Sequence, residues 1–184
     1  GVADQQLTNI EQKAVQYAID HGVFVSISAS NNGNSASVDN PSKVTAKGYG
    51  SGSEAGNYEP LNSGTVANPG ASKNALTVAA ETSGTGKDSD MASFSSWGPL
   101  SDFSLKPDLS APGYQVVSTV NDNQYQTMSG TSMAGPFAAG SAALVIQRLK
   151  KTNPELKGAE LVAATKALLM NSAKVQTQNG YTAP

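Results

Sequence analysis

The chain has 184 residues, a formal net charge of −2, 38% hydrophobic residues and only 14% charged residues. This length fits one domain with a real hydrophobic core. Cysteine is absent and no basic cluster occurs, which excludes disulfides, cysteine-based metal sites and nucleic-acid binding through a basic face. No apolar run reaches the roughly 20 residues that a membrane-spanning helix needs.

The first predicted element is a helix that feeds a strand. Thr8 and Glu11 form a T-x-x-E capping box, and Gly22 is a typical helix stop. The stretch "VFVSISA" (23–29) is short and β-branched, which predicts a buried strand. A helix followed by a buried strand indicates an α/β layered domain. The apolar positions that recur at helical spacing are Leu7, Ile10, Ala14, Tyr17 and Ala18.

The middle of the chain alternates polar connectors with strand-like segments. Residues 30–73 are poor in apolar side chains, and such a long loop is usually functional or mobile. "ALTVAA" (75–80) predicts a second buried strand, and the polar stretch 81–90 predicts a connector with nothing to bury. Residues 116–120 and 125–129 flank a turn-forming stretch and predict a β-hairpin.

Two helices are predicted in the last third of the chain. Ala134–Leu149 is strongly apolar and predicts a buried helix. The final helix is predicted to start near Pro154 or Ala159, with Asn153 as a possible cap. No internal repeat is present.

Ser132 lies at the start of the first of these helices, within "GTSMAGP" (130–136). Pro136 lacks an N–H and is best tolerated in the first turn, which predicts a helix start close to Ser132. A helix start carries unpaired N–H groups and partial positive charge, so it suits a nucleophile whose reaction creates an oxyanion. The simpler alternative is that Ser132 is only a helix N-cap, a common role for serine.

"GTSMAGP" resembles the nucleophile motif G-T-S-M-A-x-P of subtilisin-like serine proteases, and the six specified positions agree. The sequence departs from the commonest family form at Phe137, where histidine often stands. Three further segments resemble the family in the same order. They are "SISASNNG" (26–33), "SFSSWGP" (93–99) and "KPDLSAPG" (106–113). Within the family, the sequences of these segments are most similar to cell-envelope proteinases of lactic acid bacteria and streptococci, such as lactocepin.

The resemblance implies an α/β fold with three layers, in which helices flank a mainly parallel sheet, and residues 1–184 would be the C-terminal portion of this catalytic domain. It implies that Ser132 is the catalytic nucleophile and that Asn31 donates from its side chain to the oxyanion hole. An amide N–H₂ stays neutral at working pH, which suits that role; an asparagine beside asparagine and glycine is otherwise a turn residue. The implied substrate-binding residues are Ser28, Ala29, Ser30 and Thr131, with Ser30 at a position that is usually glycine.

The chain lacks the two other members of a serine-protease triad. His21 is the only histidine, and neither the family's H-G-T-H-V-A-G motif nor its aspartate motif occurs. Asp20 and His21 are neighbours on the predicted helix, so they point about 100° apart and do not form a dyad. The resemblance therefore implies that the catalytic aspartate and histidine come from a preceding segment or a separate chain, the N-terminal half of the same domain. It also implies an insertion or deletion point near 81–92.

The implied function is a serine endopeptidase that acts on extracellular polypeptides, in a bacterial protein that is secreted or attached to the cell envelope. One alternative is an inactive fragment or pseudo-protease that binds peptides. A serine hydrolase of another class is less compatible, because residues 130–134 read G-T-S-M-A and lack the final glycine of G-x-S-x-G.

No metal ligand or cofactor site is assigned. The family often binds calcium, which makes calcium possible by resemblance. "DSD" (88–90) and "NDN" (121–123) offer oxygen atoms, but neither has a coordination spacing. Both are predicted to be solvated turns.

Overall fold

The fold was obtained as a computed structural model, in which residues 9–33, 44–45, 48–49, 64–82, 90–100, 102–178 and 181–183 are described. Its helices are α1 (Asn9–Asp20), α2 (Thr131–Thr152) and α3 (Gly158–Ser172). Its strands are β1 (Ser26–Ser28), β2 (Val44–Thr45), β3 (Gly48–Tyr49), β4 (Leu76–Glu81), β5 (Leu109–Pro112), β6 (Val116–Val120), β7 (Gln124–Met128), β8 (Gln176–Gln178) and β9 (Tyr181–Ala183). Among the described residues, no helix is both long and apolar enough to cross a membrane.

Three strands form a parallel sheet in the order β1-β4-β5. All 6 residues of β4, the central strand, are buried. A parallel sheet is covered on both faces, so its central strand reads as a continuous apolar run. Val78 lies opposite Ser28 on β1 and Leu109 on β5. The carboxyl ends of the three strands therefore meet at one edge, which is where open parallel sheets place their ligand sites.

The main core lies between this sheet and α2, which contacts all three strands. Its alanine-rich first half lets the helix backbone approach the sheet, and Ser26 Oγ on β1 donates to Gly135 O at 3.0 Å. α3 packs against α2 and α1. The predicted α/β fold, a parallel sheet flanked by helices, is confirmed. The buried side chains of this core are Leu76, Val78, Ala80, Ala92, Ala111, Ala134 and Ala138.

α1 lies where it was predicted, but most of the described apolar residues at helical spacing are exposed. Ile10 and Tyr17 are 79% and 66% exposed, whereas Ile19 is 7% exposed. The contact with α3 covers a different side of the helix from the one that the apolar spacing indicated. The stop at Gly22 is confirmed by its positive φ of 81° and by its N–H, which donates to Ile19 O. The predicted cap, Thr8, lies outside the described residues.

The two predicted core strands differ in how well they match. A buried strand was predicted over residues 23–29, whereas β1 has only 3 residues and these are half-buried. β4 agrees with the predicted 75–80 segment to within one residue. The predicted loop 30–73 contains the short β2–β3 pair, and most of it lies outside the described residues.

The polar connector after β4 returns close to its starting point. Thr82 N–H donates to Asp90 O at 2.8 Å, so the two ends of the connector lie side by side. This arrangement is compatible with an insertion point near 81–92. The insertion point stays a prediction, because residues 83–89 lie outside the described residues.

The predicted β-hairpin consists of β6 and β7, which pair in antiparallel fashion. Its first strand agrees with the predicted 116–120 segment, and its second is displaced by one residue from 125–129. Asp122 and Asn123 have φ of 61° and 54°, the left-handed conformation that tight hairpin turns require. The "NDN" stretch is therefore an exposed turn, as predicted.

α2 begins at Thr131, three residues before the predicted Ala134. Pro136 lies inside the helix beyond its first turn, so its prediction as a first-turn residue is wrong. Proline has no N–H, which leaves Ser132 O without the bond that residue i+4 would normally donate. The helix continues to Thr152 despite this missing bond, and it contacts all three strands of the sheet.

α3 begins at Gly158, next to the predicted start at Ala159. The alternative start at Asn153 and Pro154 is wrong, because Asn153 is the C-cap of α2 and its N–H donates to Leu149 O. A residue type that favours a helix start can also end the preceding helix, and the loop between α2 and α3 is short enough to confuse the two.

A buried charged cluster lies at the amino ends of β4 and β5. Lys106 Nζ donates to Asp108 Oδ2 at 2.5 Å and to Ala75 O at 2.9 Å. Lys166, on α3, contacts Asp108 Oδ1 at 3.2 Å and donates to Ala75 O at 2.8 Å. Thr77 N–H donates to Asp108 Oδ2 at 2.7 Å. Two ammonium groups thus share one carboxylate, and burial lowers the pKa of Lys106 to about 8 from 10.5.

Candidate active site

The start of α2 is joined directly to the carboxyl edge of the sheet. Gly113, which follows β5, donates its N–H to Glu81 O at 3.1 Å and accepts from Gly130 N–H at 2.7 Å. A Cβ at Gly113 would lie 2.6 Å from Ala80 Cβ and 2.8 Å from Gly130 O. Glycine is therefore required for this close approach, which brings the N-terminus of α2 beside the strand ends.

Asn31 follows β1 and caps the N-terminus of α2 from a distant part of the chain. Thr131 N–H and Thr131 Oγ1 each donate to Asn31 Oδ1 at 2.9 Å. A backbone N–H can only donate, so the atom that it contacts must be the amide oxygen, and the Asn31 N–H₂ group points the other way. An added Cβ at Gly130 would lie 3.3 Å from Asn31 Nδ2, so the glycine keeps this side of the amide open.

Ser132 is the second residue of α2, and its side chain is exposed. The N-cap of α2 is Gly130, so the alternative that Ser132 is merely an N-cap is wrong. Within the described part of the chain, no hydrogen bond involves the Ser132 hydroxyl or its backbone N–H. The site therefore combines an exposed hydroxyl with a free helix N-terminal amide, next to the amide group of Asn31.

The predicted substrate-binding residues divide into buried and accessible positions. Thr131 is 1% exposed and its hydroxyl is engaged by Asn31, so its side chain acts on Asn31. Ala29 is 0% exposed, while Ser28 and Ser30 are half-buried at the end of β1. The assignment of Ser28, Ala29 and Ser30 to a specificity pocket stays a prediction.

His21 directly follows α1 and precedes β1, whereas Asn31 follows the carboxyl end of that strand. Its Nδ1 donates to Tyr17 O at 2.8 Å, and its ring packs on the Tyr17 ring at a centroid distance of 4.0 Å. Both contacts are those of a helix-end residue, in agreement with the interpretation that His21 is not the catalytic base.

Metal binding was left open by the sequence. In the described ranges, no group of three or more His, Cys, Asp or Glu residues is placed to hold a metal ion. Calcium is therefore assigned to none of the described residues.

Comparison with known proteins decides the family. The family model described as the subtilase family, peptidase S8, matches residues 2–183. The chain belongs to the subtilase family. Membership covers almost the whole sequence and agrees with the four motif segments that carried the resemblance.

The subtilase chain is similar to several named proteinases. It is 50% identical over 91 residues to the PII-type proteinase of Lactococcus lactis subsp. cremoris, an overlap of 46% of this chain and 5% of that protein. It is 39% identical over 83 residues to the C5a peptidase of Streptococcus pyogenes, covering 45% of this chain and 7% of that protein. The chain thus spans a small part of these curated relatives.

Solved structures of subtilases match a larger share of the chain. Sphericase has a TM-score of 0.58 and 28% identity, covering 89% of this chain and 45% of that structure. A cold-adapted subtilisin-like serine proteinase has a TM-score of 0.53 and 30% identity, covering 85% of this chain and 42% of that structure. The subtilase fold is therefore present, and the chain spans less than half of each structure.

Two sets of buried polar residues in this subtilase chain were missed by the sequence analysis. Thr65 and Ser96, both 1% exposed, hydrogen-bond to the loop that carries Asn31. The other set is the cluster of Lys106, Asp108 and Lys166. The motifs "SFSSWGP" and "KPDLSAPG" contain Ser96, Lys106 and Asp108. The match to these motifs therefore singled out the three residues, but it did not indicate which groups they contact.

Proposed function

We propose that this subtilase chain supplies the nucleophile and the oxyanion hole of a serine endopeptidase that hydrolyses extracellular polypeptides through an acyl-enzyme. One observation carries the proposal: Thr131 holds Asn31 Oδ1 by two hydrogen bonds, beside the exposed Ser132 at the start of α2. An amide fixed by its oxygen presents its N–H₂ group in a defined direction. Such preorganised donors are what an acyl-transfer site needs.

In the proposed reaction, Ser132 Oγ attacks the carbonyl carbon of the scissile peptide bond. The carbonyl oxygen becomes negatively charged and accepts hydrogen bonds from Asn31 Nδ2 and from Ser132 N–H. The partial positive charge at the N-terminus of α2 stabilises the same oxyanion. The C–N bond then breaks as the leaving amine takes the proton that the base removed from Ser132, and water hydrolyses the acyl-enzyme.

A base must take the proton of Ser132, and a carboxylate must orient that base. We assign the histidine and aspartate to the N-terminal half of the catalytic domain, contributed by a preceding segment or a separate chain. The unpaired outer edge of β1, among the described strands, supports such a neighbour, because parallel sheets bury their strands between others. The solved relatives, each more than twice as long as the matched region, support it too.

Localisation outside the cell, either secreted or attached to the envelope, also belongs to this proposal. It is supported by the similarity to named bacterial proteinases and by the absence of cysteine from a chain rich in small polar residues. The alternative of a peptide-binding pseudo-protease has less support, since Ser132 is exposed and Thr131 orients the Asn31 amide by two hydrogen bonds.

Labelling with a fluorophosphonate tests the proposal. The sample is the assembled peptidase, meaning this chain together with the segment that supplies the histidine and aspartate. We expect covalent labelling at Ser132 and none in Ser132→Ala. Ser141→Ala, which alters another exposed serine of α2, is the matched control and should label normally. Undiminished labelling in Ser132→Ala would refute the assignment of the nucleophile. Equal labelling of the 184-residue chain by itself would refute the assignment of the base to another segment.

A further inference from the structure

The loop that carries Asn31 is held by the protein on the side away from Thr131. Ser30 O accepts from Ser96 N–H at 3.0 Å, and Asn32 N–H donates to Ser96 Oγ at 3.1 Å. Gly33 N–H donates to Phe94 O at 2.8 Å. The backbone on both sides of Asn31 is thus fixed by the segment that contains "FSSWG".

Thr65 makes the second set of contacts with this loop. Its hydroxyl donates to Gly33 O and accepts from Trp97 N–H, the latter at 2.8 Å. Its carbonyl oxygen accepts from Asn32 Nδ2 at 3.3 Å. Thr65 is 1% exposed, so its hydroxyl has no access to water as an alternative partner and its two bonds are strongly favoured.

The two serines of "FSSWG" connect the loop to the rigid sheet. Ser95 Oγ accepts from Ala80 N–H, in the central strand β4, at 2.9 Å. Ser96 Oγ instead accepts from Asn32 N–H in the loop that carries Asn31. Both serines are buried, at 0% and 1% exposure. Adjacent hydroxyl groups therefore bridge the most buried strand of the sheet and the loop with the oxyanion donor.

The conformation of the loop requires such support. Ser30 has a φ of 92°, which is unfavourable for a residue with a side chain. A backbone of this kind costs on the order of 1–3 kcal/mol and persists only when its surroundings enforce it. The hydrogen bonds with Phe94, Ser96 and Thr65 are contacts that can enforce this conformation.

We propose that Thr65 and Ser96 are positioning residues, which set the location of Asn31 Nδ2 for oxyanion binding by fixing the Ser30–Gly33 loop. This inference rests on the proposed function. Neither residue touches the reacting atoms, and both act through Asn31. A donor must lie about 2.7–3.1 Å from the oxyanion, and a displacement of about 1 Å can reduce the rate about 100-fold.

Substitutions at Thr65 distinguish the effect of its hydroxyl hydrogen bonds on the loop from the effect of its side-chain packing. Thr65→Val keeps the shape and removes both hydroxyl bonds, while Thr65→Ser keeps the hydroxyl. In the assembled peptidase, we expect Thr65→Val to lower kcat about 10- to 100-fold with KM changed less than about threefold, and Thr65→Ser to restore most of kcat. Thr165→Val is the matched control: Thr165 is 0% exposed and its hydroxyl donates to Leu161 O inside α3, so kcat should not change.

Combination with Asn31→Ala tests whether the effect passes through Asn31. We expect Thr65→Val to cause little further loss of kcat in an Asn31→Ala background, because the donor that it positions is already gone. Ser96→Ala, which removes the acceptor of Asn32 N–H, should behave in the same way. It provides an independent variant if Thr65→Val folds poorly.

The outcomes distinguish this inference from the proposed function. If Asn31→Ala lowers kcat but Thr65→Val and Ser96→Ala do not, the positioning role is refuted and the oxyanion hole stands. If the losses multiply in the double variants, Thr65 and Ser96 act independently of Asn31 and the inference is also refuted. If Asn31→Ala leaves kcat unchanged, the proposed oxyanion hole itself is wrong.

Discussion

The two ends of the parallel sheet differ in how their polar groups are paired. At the carboxyl end, the groups at the start of α2 are neutral: the Asn31 amide, the Thr131 hydroxyl and the exposed Ser132. At the amino end, charged groups are buried, with Lys106 and Asp108 side chains 3% and 6% exposed. The carboxyl end keeps donors unpaired among the described residues, so they are available to a charge that forms during reaction. The amino end pairs its charges permanently.

This contrast separates the residues that should affect catalysis from those that should affect stability. A donor awaiting an oxyanion contributes little to folding, since no partner is present in the resting state. A buried ion cluster contributes nothing to the reaction but is very sensitive to the loss of one member. Substitutions at the two ends should therefore change different measured quantities.

The largest expected effect is on stability at the amino end. Asp108→Ala leaves the buried Lys106 and the partly buried Lys166 without their carboxylate, and loss of one member of a buried ion pair costs about 3–5 kcal/mol. Chemical denaturation of the assembled peptidase measures the change. Asp102→Ala is the control, because it removes only exposed contacts, an ion pair with Lys73 and hydrogen bonds from Ser104, and should destabilise the protein much less. Equal stability of Asp108→Ala and the parent protein would contradict the importance of the cluster.

At the carboxyl end, Asn31→Ala should lower kcat. Loss of one oxyanion-hole donor in serine proteases of this family reduces kcat about 10²–10³-fold, and we expect a similar value with KM nearly unchanged. Steady-state kinetics with a peptide substrate measure it. Asn74→Ala, at the amino end where Asn74 Nδ2 contacts Gln16 Oε1, should leave kcat unchanged. A fall in kcat in both variants would mean that the two ends are not functionally distinct.

The pH dependence of stability should report on Lys106. Its folded pKa of about 8 lies below the ordinary 10.5, so between these values the unfolded chain binds more protons than the folded one. The free energy of unfolding should therefore gain a positive contribution as pH rises from about 8 to 10.5, and lose it as pH falls over the same range, so that none remains below about 8. The slope from one group is at most about 1.4 kcal/mol per pH unit.

The difference between the parent protein and Lys106→Met reports this contribution, because the titrating groups outside the cluster of Lys106, Asp108 and Lys166 are common to both. Denaturation midpoints at several pH values between 7 and 11 provide the data. A difference that stays constant across this range would show that Lys106 titrates normally in the folded protein.

The smallest expected effect concerns Thr131. Thr131→Val removes one of the two donors to Asn31 Oδ1 and keeps the backbone N–H. A neutral hydrogen bond is worth about 0.5–1.5 kcal/mol, which corresponds to a roughly 2- to 10-fold fall in kcat. Thr131→Ser should retain the parent rate. A fall as large as that of Asn31→Ala would indicate that Thr131 does more than orient the amide.

Local patterns in the sequence predicted the elements that depend on local structure. The continuous apolar run predicted β4 because a central parallel strand is buried on both faces. The small residues around Ser132 predicted a helix start with an exposed hydroxyl. β5 was not predicted: "LSAP" is short and has weak strand propensity, and it is a strand because Val78–Glu81 of β4 pair with it.

Tertiary contacts were beyond the sequence. Asn31 and Thr131 are 100 residues apart in the chain, and no local pattern indicates that Asn31 caps the helix that begins at Thr131. Family resemblance singled out both residues but gave Thr131 a substrate-binding role rather than a contact with Asn31. The side of α1 that is buried was beyond the sequence for the same reason, because the neighbouring element decides which side of a helix is buried.

A crystal structure of the assembled peptidase after reaction with a peptide boronic acid tests the central claim most directly. A boronate mimics the tetrahedral intermediate, so the account predicts a covalent bond from Ser132 Oγ to boron. One boronate oxygen should lie about 2.7–3.1 Å from both Asn31 Nδ2 and Ser132 N. A boronate bound to another residue, or one attached to Ser132 with its oxygen directed away from Asn31, would contradict it.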